Sequence, residues 1–117
     1  MMLGVELIEF EEGSASLALK MRDELQQQHQ FIHGGILAYL ADCALSFAAG
    51  SVLGDCITVE FKINYLRPAK GEGRLLARGK VLGHGRTTAT VRAEIFVERE
   101  DGARELCAAA QGTLQRV

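Results

Sequence analysis

One apolar segment with helical periodicity, enclosed by segments of alternating polarity, constrains the fold of this chain most strongly. Residues 34–50 carry apolar side chains at spacings of four and three, which predicts an amphipathic helix. Alanines occupy much of its remaining surface, so we expect a slim helix that is surrounded by protein and ends near Gly50. The predicted core stripe of this helix consists of Ile36, Leu40, Cys43 and Phe47.

Segments with a period of two precede and follow the helix. Residues 56–66 make the clearest strand, and further strands are predicted over residues 74–82, 91–97 and 105–114, with a hairpin over residues 5–21. On the clearest strand, one face is predicted to carry Ile57, Val59, Phe61, Ile63 and Tyr65, and the other Thr58, Glu60, Lys62 and Asn64. Turn signals, in which glycine can adopt positive φ, stand at Glu12-Gly13, Gly83-His84-Gly85 and Asp101-Gly102.

These elements predict the fold class. One central helix and five or six antiparallel strands form an α+β domain in which a curved sheet wraps the helix. The 117 residues suffice for one domain and are too few for two, so a single domain over residues 1–117 is expected.

Composition narrows the function classes. Hydrophobic residues make up 48% of the chain and charged residues 24%, so we expect a packed core rather than disorder. A net charge of −2 and an aromatic content of 6% argue against a nucleic-acid surface. The apolar stretch 34–53 is interrupted by Asp42 and by serines, so a membrane span is not expected.

The cysteines indicate a reducing compartment. Cys43, Cys56 and Cys107 are odd in number, form no CxxC pair and lie in apolar stretches. We therefore predict three reduced, buried thiols in a cytoplasmic protein. The chain opens without a basic and apolar leader, which fits that expectation.

The residues that lead into the helix are the first candidates for chemistry. His33, Gly34 and Gly35 precede or form its first turn, where backbone N–H groups lack acceptors and the helix dipole is positive. Two glycines let another molecule approach closely, so the N–H of Gly34 or Gly35 can bind a carbonyl oxygen that becomes negative during a reaction. Gln27 offers a side-chain amide as a second donor, and His33 either orients the loop or donates a hydrogen bond.

An acid inside the helical segment is the second candidate. Asp42 lies nine residues after His33 in an apolar stretch, where a carboxylate without a partner is costly. Ser46 follows Asp42 at i+4, so the two side chains share a helix face. Together they could hold a water molecule, or the hydroxyl could hold the acid in one rotamer.

Simpler structural roles compete with these interpretations. His33 and its glycines could form an ordinary turn, and Asp42 could be a buried acid bonded to backbone amides. His29 and His84 fit loop and turn positions better than ligand positions. The spacing of histidines, cysteines and acids matches no metal site, and Ser46 lacks the context of a serine nucleophile, so neither a metal nor a cofactor is expected.

A family resemblance rests on three segments. Residues 33–44, HGGILAYLADCA, resemble the signature of hotdog-fold acyl-CoA thioesterases, in particular the PaaI-like and 4-hydroxybenzoyl-CoA thioesterases. Residues 58–69, TVEFKINYLRPA, are similar to the long strand of that family with its terminal Arg-Pro, and residues 85–89 are similar to its later hairpin. The resemblance spans nearly the whole chain.

The resemblance implies a hotdog fold, homodimers that commonly pair into tetramers, and active sites at the subunit interface. It implies that the Gly34 N–H and Gln27 polarise a thioester carbonyl, with His33 in the same loop. Asp42 of the partner subunit would be the catalytic carboxylate, as general base or as nucleophile, and Ser46 would lie near the reacting carbon or water. The resemblance matches Thr58 to a strand hydroxyl position of the family, and Arg67, Lys70 and Arg86 are candidates for the CoA phosphates. The full set of expected substrate-binding residues is Gly35, Thr58, Asn64, Arg67, Lys70, Gly85 and Arg86.

Other functions on the same fold remain open at this point. Gln27 stands where the PaaI-like branch usually has Asn, which leaves the subfamily and the acyl group open. The alternatives are a hotdog-fold dehydratase that acts on hydroxyacyl thioesters and a non-catalytic acyl-CoA-binding protein. Dehydratases need differently spaced His and acidic residues, and the combination of Gln27, His33 and Asp42 argues against simple binding.

Overall fold

The computed structural model describes residues 4–22 and 33–117, in which one helix lies against one antiparallel sheet. The strand order is β1-β2-β4-β5-β6-β3, so β1 and β3 are the edges of the sheet. This architecture confirms the predicted α+β class. The elements follow one another as β1 (Glu6–Glu11), β2 (Ser14–Lys20), α1 (Gly34–Leu53), β3 (Cys56–Tyr65), β4 (Arg74–His84), β5 (Thr88–Glu98) and β6 (Arg104–Arg116).

The helix α1 crosses the concave side of the sheet and contacts all six strands, most extensively β4 and β5. By length and hydropathy alone, α1 could also cross a membrane. Its packing against every strand is instead typical of the central helix of a globular domain.

The buried stripe of α1 is rotated from the predicted one. Leu40 is fully buried as expected, but the prediction is wrong for Ile36, Cys43 and Phe47, which are only half-buried at the margin of the core. The sheet packs instead on the alanine-rich side of α1, because small side chains let the strands approach the helix closely. The buried residues of α1 are Leu37, Leu40, Ala41, Ala44, Leu45, Ala48, Ala49 and Leu53.

The helix also ends one turn later than predicted. Gly50 lies inside α1, and Gly54 forms the C-cap with a φ of 79° and an N–H that donates to the Gly50 carbonyl at 2.9 Å. The extra turn buries Leu53, which offsets the weak helix propensity of glycine at position 50.

Two of the three turn signals are confirmed by the backbone. Gly13 and Gly102 have φ values of 87° and 89°, in the left-handed region that favours glycine. The third turn is also present, directly after His84, but neither Gly83 nor Gly85 has the expected positive φ. The strand β4 continues to His84, and the chain turns where the Gly85 N–H donates to the Thr88 carbonyl at 2.9 Å.

A bulge in β3 corrects the predicted alternation on that strand. The pairing of β3 with β6 skips Val59, which is therefore one extra residue on β3. As a result Thr58 faces α1 on the same side as Phe61 and Ile63. The prediction that Ile57 and Val59 share a face with Phe61 and Ile63 is wrong, because they are 55% and 54% exposed.

Gly79 of β4 lies directly against α1, where a Cβ would meet the Ala44 carbonyl and the Ala48 side chain. We expect Gly79→Ala to lower the free energy of unfolding by about 1–3 kcal/mol, because the helix backbone must move to admit the methyl group. Urea unfolding measures this change. Gly83→Ala on the same strand is the matched control, because its Cβ would meet no described atom within 4 Å. Equal losses in the two variants would contradict the close approach.

Candidate active site

The first turn of α1 presents backbone donors at its open end. His33 is the N-cap residue, and its carbonyl accepts hydrogen bonds from the N–H groups of Ile36 and Leu37 at 3.0 and 3.4 Å. Within residues 4–22 and 33–117, the N–H groups of Gly34 and Gly35 have no acceptor. At the positive end of the helix dipole, these two amides can bind a negatively charged oxygen.

Neither glycine is required by the packing that the structure describes. Neither has a positive φ, and a Cβ on Gly35 would meet no described atom within 4 Å. A Cβ on Gly34 would lie 3.5–3.7 Å from the Tyr65 side chain, which is ordinary van der Waals contact. Alanine would stabilise a helix by about 0.5–1 kcal/mol relative to glycine. The two glycines therefore fit a site at which another molecule approaches the backbone.

Asp42 is half-buried on α1 and has a hydrogen-bond partner on β3. Thr58 Oγ1 donates to Asp42 Oδ1 at 2.7 Å, and Ser46 Oγ lies 3.4 Å from Thr58 Oγ1. Because Thr58 has one hydroxyl hydrogen and directs it at Asp42, Ser46 donates in the longer contact. The Thr58 hydroxyl holds Oδ1 of the carboxylate, Ser46 contacts that hydroxyl and not the acid, and in the described part of the chain Oδ2 has no partner.

The β3 bulge is what brings Thr58 to the acid. In a regular strand Thr58 and Phe61 would face opposite sides, because their numbers differ by three. The extra residue Val59 turns both toward α1. Bulges are common beside active sites because they re-aim a side chain in this way. Strand alternation in the sequence contains no signal for this bulge, which follows from the pairing with β6.

The thiols close to the acid are weak nucleophiles. Burial raises the pKa of the Cys43 thiol; a hydrogen bond with Tyr39 opposes this shift, and the charge of Asp42 adds to it. Burial, and secondly Asp55, raise the pKa of Cys56. Because the thiolate is the reactive form of cysteine, these shifts leave Asp42 as the group equipped to activate water or to attack.

The amides and the acid of one chain lie too far apart to act on one carbonyl group. Asp42 follows Gly34 by eight residues of α1, a rise of about 12 Å along the helix axis. The N–H groups of the first turn point away from Asp42, and an oxygen bound to them would lie about 3 Å further out. The Asp42 side chain cannot span this distance, so one chain carries two separated halves of a site.

The other substrate-binding candidates are spread over the sheet. Asn64 follows Ile63 on the face of β3 that is turned away from α1. Arg67 and Lys70 lie in the loop after β3, and the last residue of β3, Tyr65, contacts the first residue of α1. Gly85 and Arg86 lie in the β4–β5 turn, near the C-terminal end of α1. The structure therefore does not bring these five residues together within one chain.

Gln27 lies outside the described residues, so a second donor at this position stays a prediction. Tyr65 was assigned no role from the sequence, yet its hydroxyl donates to the Gly34 carbonyl at 3.2 Å. No local sequence pattern signals this contact, because it joins residues that are 31 positions apart.

Comparison with known proteins supplies the family. The family model described as Thioesterase superfamily matches residues 29–103. The acyl-coenzyme A thioesterase PaaI of Escherichia coli is 30% identical over 98 residues, which cover 84% of this chain and 70% of that protein. The structure of a thioesterase family protein from Silicibacter pomeroyi has a TM-score of 0.90 and 35% identity, and the match covers 97% of this chain and 84% of that one. The structure of smu.793 from Streptococcus mutans, bound to acetyl CoA, has a TM-score of 0.84 and 25% identity, with coverage of 100% and 94%.

The central helix and its six-stranded sheet are therefore the hotdog fold of the thioesterases. The chain belongs to the thioesterase superfamily, and it is a thioester hydrolase. Both the predicted family and the predicted fold are confirmed.

The contribution of the hydrogen bond between Thr58 and Asp42 to the free energy of unfolding can be measured. Thr58→Val keeps the shape of the side chain but removes the hydroxyl, and we expect the free energy of unfolding to fall by about 1 kcal/mol at pH 7. Thr58→Ser keeps a donor and should lose less. In an Asp42→Asn background the effect of Thr58→Val should shrink, which urea unfolding of the four proteins measures as a double-mutant cycle. Strictly additive losses would show that the two side chains are not coupled.

Proposed function

We propose that this enzyme hydrolyses acyl-CoA thioesters at sites that each combine the α1 N-terminus of one subunit with Asp42 of the partner subunit. The observation that carries the proposal is the separation of two reactive groups on one rigid helix. Amides that have no acceptor among the described residues lie at its end, and a carboxylate held by Thr58 lies about 12 Å along the axis. Two antiparallel copies of α1 would bring each acid to the amides of the other helix.

The free edge of the sheet supports a dimer of this kind. The strand β3 is an edge whose exposed side chains include large apolar ones. The opposite edge, β1, also exposes Leu7, Ile8 and Phe10, but it has glutamate at three of its six positions, and charged side chains discourage edge-to-edge pairing. We therefore assign the twofold axis to β3, where the exposed apolar residues of the strand and its end are Ile57, Val59, Tyr65 and Leu66.

A further pairing of dimers into a tetramer would use the side of α1 that the sheet leaves half-covered. This side carries apolar residues that one chain does not bury fully, namely Ile36, Tyr39, Cys43 and Phe47. Apolar area of this kind is stabilised when a second copy covers it.

Acyl-CoA as the substrate class is supported by the relatives and by the placement of cationic residues. The Escherichia coli relative is named an acyl-coenzyme A thioesterase, and the Streptococcus mutans structure holds acetyl CoA. Arg67 follows Tyr65, which bonds Gly34 at the N-terminal end of α1, and Arg86 precedes Thr87, whose carbonyl accepts a hydrogen bond from Arg116 beside the C-terminal end. In an antiparallel dimer, residues from these two ends of different subunits fall on the same side of a site, where the CoA phosphates would meet them.

In the proposed reaction, the Gly34 amide holds the thioester oxygen, with Gln27 as the expected second donor, and this oxygen gains negative charge as the tetrahedral intermediate forms. Thr58, which is itself in contact with Ser46, holds one oxygen of the acid, and this leaves Oδ2 to act. As a general base, Asp42 takes a proton from water as the water oxygen attacks the carbonyl carbon. The carbon–sulfur bond then breaks, and the CoA thiolate leaves and takes up the proton. Direct attack by Oδ2 would give a mixed anhydride that water then hydrolyses.

A subunit-mixing experiment tests the shared site. Gly34→Pro removes one amide hydrogen and suits the first helical position, because His33 already has φ −57° and ψ 136°. We expect Gly34→Pro and Asp42→Asn each to lower kcat/KM by about 10²-fold or more. When the two inactive variants are unfolded together and refolded as mixed dimers, thiol release should recover to about a quarter of the wild-type value, because half of the dimers then hold one intact site.

Three controls accompany the subunit-mixing experiment. Gly34→Ala retains the amide hydrogen and should keep more activity than Gly34→Pro. Each variant refolded alone should stay inactive, and size-exclusion chromatography with light scattering should show dimers or tetramers in every sample. Full activity in Asp42→Asn, or no recovery in the mixture, would overturn the shared site.

The class of reaction is tested separately from the site. We expect the wild-type protein to release free thiol from at least one member of a panel of phenylacetyl-, benzoyl- and linear acyl-CoAs. A dehydratase would instead add water to an enoyl-CoA without thiol release, and a binding protein would saturate with acyl-CoA without either reaction. The panel also identifies the acyl group that the enzyme prefers.

A further inference from the structure

The peptide group between Gly34 and Gly35 has a partner on a different element of the fold. The Gly34 carbonyl accepts a hydrogen bond from the Tyr65 hydroxyl at 3.2 Å. The Tyr65 ring also lies 3.5–3.6 Å from the position that a Gly34 Cβ would occupy. The last residue of β3 therefore both covers and bonds the first residue of α1.

That carbonyl shares a rigid plane with a different amide. A peptide group is planar, so the orientation of the Gly34 carbonyl sets the orientation of the Gly35 N–H on the same group. The Gly35 N–H has no acceptor in the described part of the chain. The hydrogen bond that the Gly34 carbonyl accepts therefore also influences the direction in which the Gly35 N–H points.

The peptide group between Gly34 and Gly35 is restrained less by its own residues than most peptide groups of a helix are. Two consecutive glycines carry no Cβ to limit their φ and ψ values, and the first turn of a helix is prone to fraying. The helix has no side-chain hydrogen bond at its N-cap. A donor to the carbonyl also polarises the peptide, which strengthens its N–H as a donor.

We propose that Tyr65 is a positioning residue that aims the Gly35 N–H, and that this amide is a second backbone donor to the thioester oxygen beside Gly34. This inference rests on the proposed function for the identity of the oxygen. The contact between Tyr65 and the peptide does not depend on it.

The test compares two tyrosine variants that each lose one hydroxyl. Tyr65→Phe removes the donor and keeps the ring over Gly34. We expect kcat to fall about tenfold, the size of one neutral hydrogen bond, with KM within about twofold, because the oxyanion exists only in the transition state. Tyr39→Phe is the matched control, since Tyr39 interacts with Cys43 on the same helix. It should leave kcat and KM unchanged within about twofold.

A second measurement reports the mobility of the peptide group between Gly34 and Gly35. NMR relaxation of ¹⁵N-labelled protein should show a lower order parameter for the Gly35 amide in Tyr65→Phe, and no such change in Tyr39→Phe. Light scattering should show the same oligomer, and thermal unfolding a Tm within a few degrees of wild type. Wild-type kcat in Tyr65→Phe, an unchanged Gly35 order parameter, or a loss of activity that tracks loss of the oligomer would each overturn the proposal.

The two proposals fail in different ways. If wild-type protein hydrolyses no acyl-CoA, the proposed function fails and the NMR comparison still decides whether Tyr65 orients the peptide. If wild type is active and Asp42→Asn is not, while Tyr65→Phe matches wild type, only the positioning role fails.

Discussion

The rigidity of α1 is the constraint on which the arrangement of the site depends. Free amides exist only at the end of a helix, while Asp42 lies two turns inside it, and the backbone hydrogen bonds of α1 keep that separation constant. No rotamer of an aspartate can cover the distance. A single chain therefore holds donors and an acid that cannot meet, and the proposed dimer follows from helix geometry before any detail of the interface is considered.

The edge strand β3 connects both halves of the site to the rest of the fold. Thr58 on this strand holds the acid, and Tyr65 at its end holds the peptide that follows Gly34. The register of β3 is set by its pairing with β6 and by the bulge at Val59. Because strand side chains alternate, a shift of one residue would turn Thr58 to the outer face and leave Asp42 without its donor.

Several features of the site oppose local stability. Consecutive glycines weaken the start of α1, the carboxylate lies among apolar side chains, and an edge strand exposes Ile57 and Val59 to solvent. Each would be improved in isolation by a simple substitution. Such features, beside a helix face that packs tightly against the sheet, are typical of a protein in which function and stability compete.

The sequence alone determined the elements and the composition of the site, and only the tertiary structure decided which faces meet. Helix and strand periodicity are local, so α1 and most strand positions could be predicted from neighbouring residues. The two candidate groups of the site, the glycines at the start of α1 and Asp42, could be predicted in the same way. The buried side of α1, the inner face at Thr58 and the role of Tyr65 could not, because each depends on contacts between residues far apart in the chain. Two overlapping sets of apolar side chains on α1 include Leu40. The sheet packs against the set that is rich in alanine, because small side chains let the strands approach the helix closely.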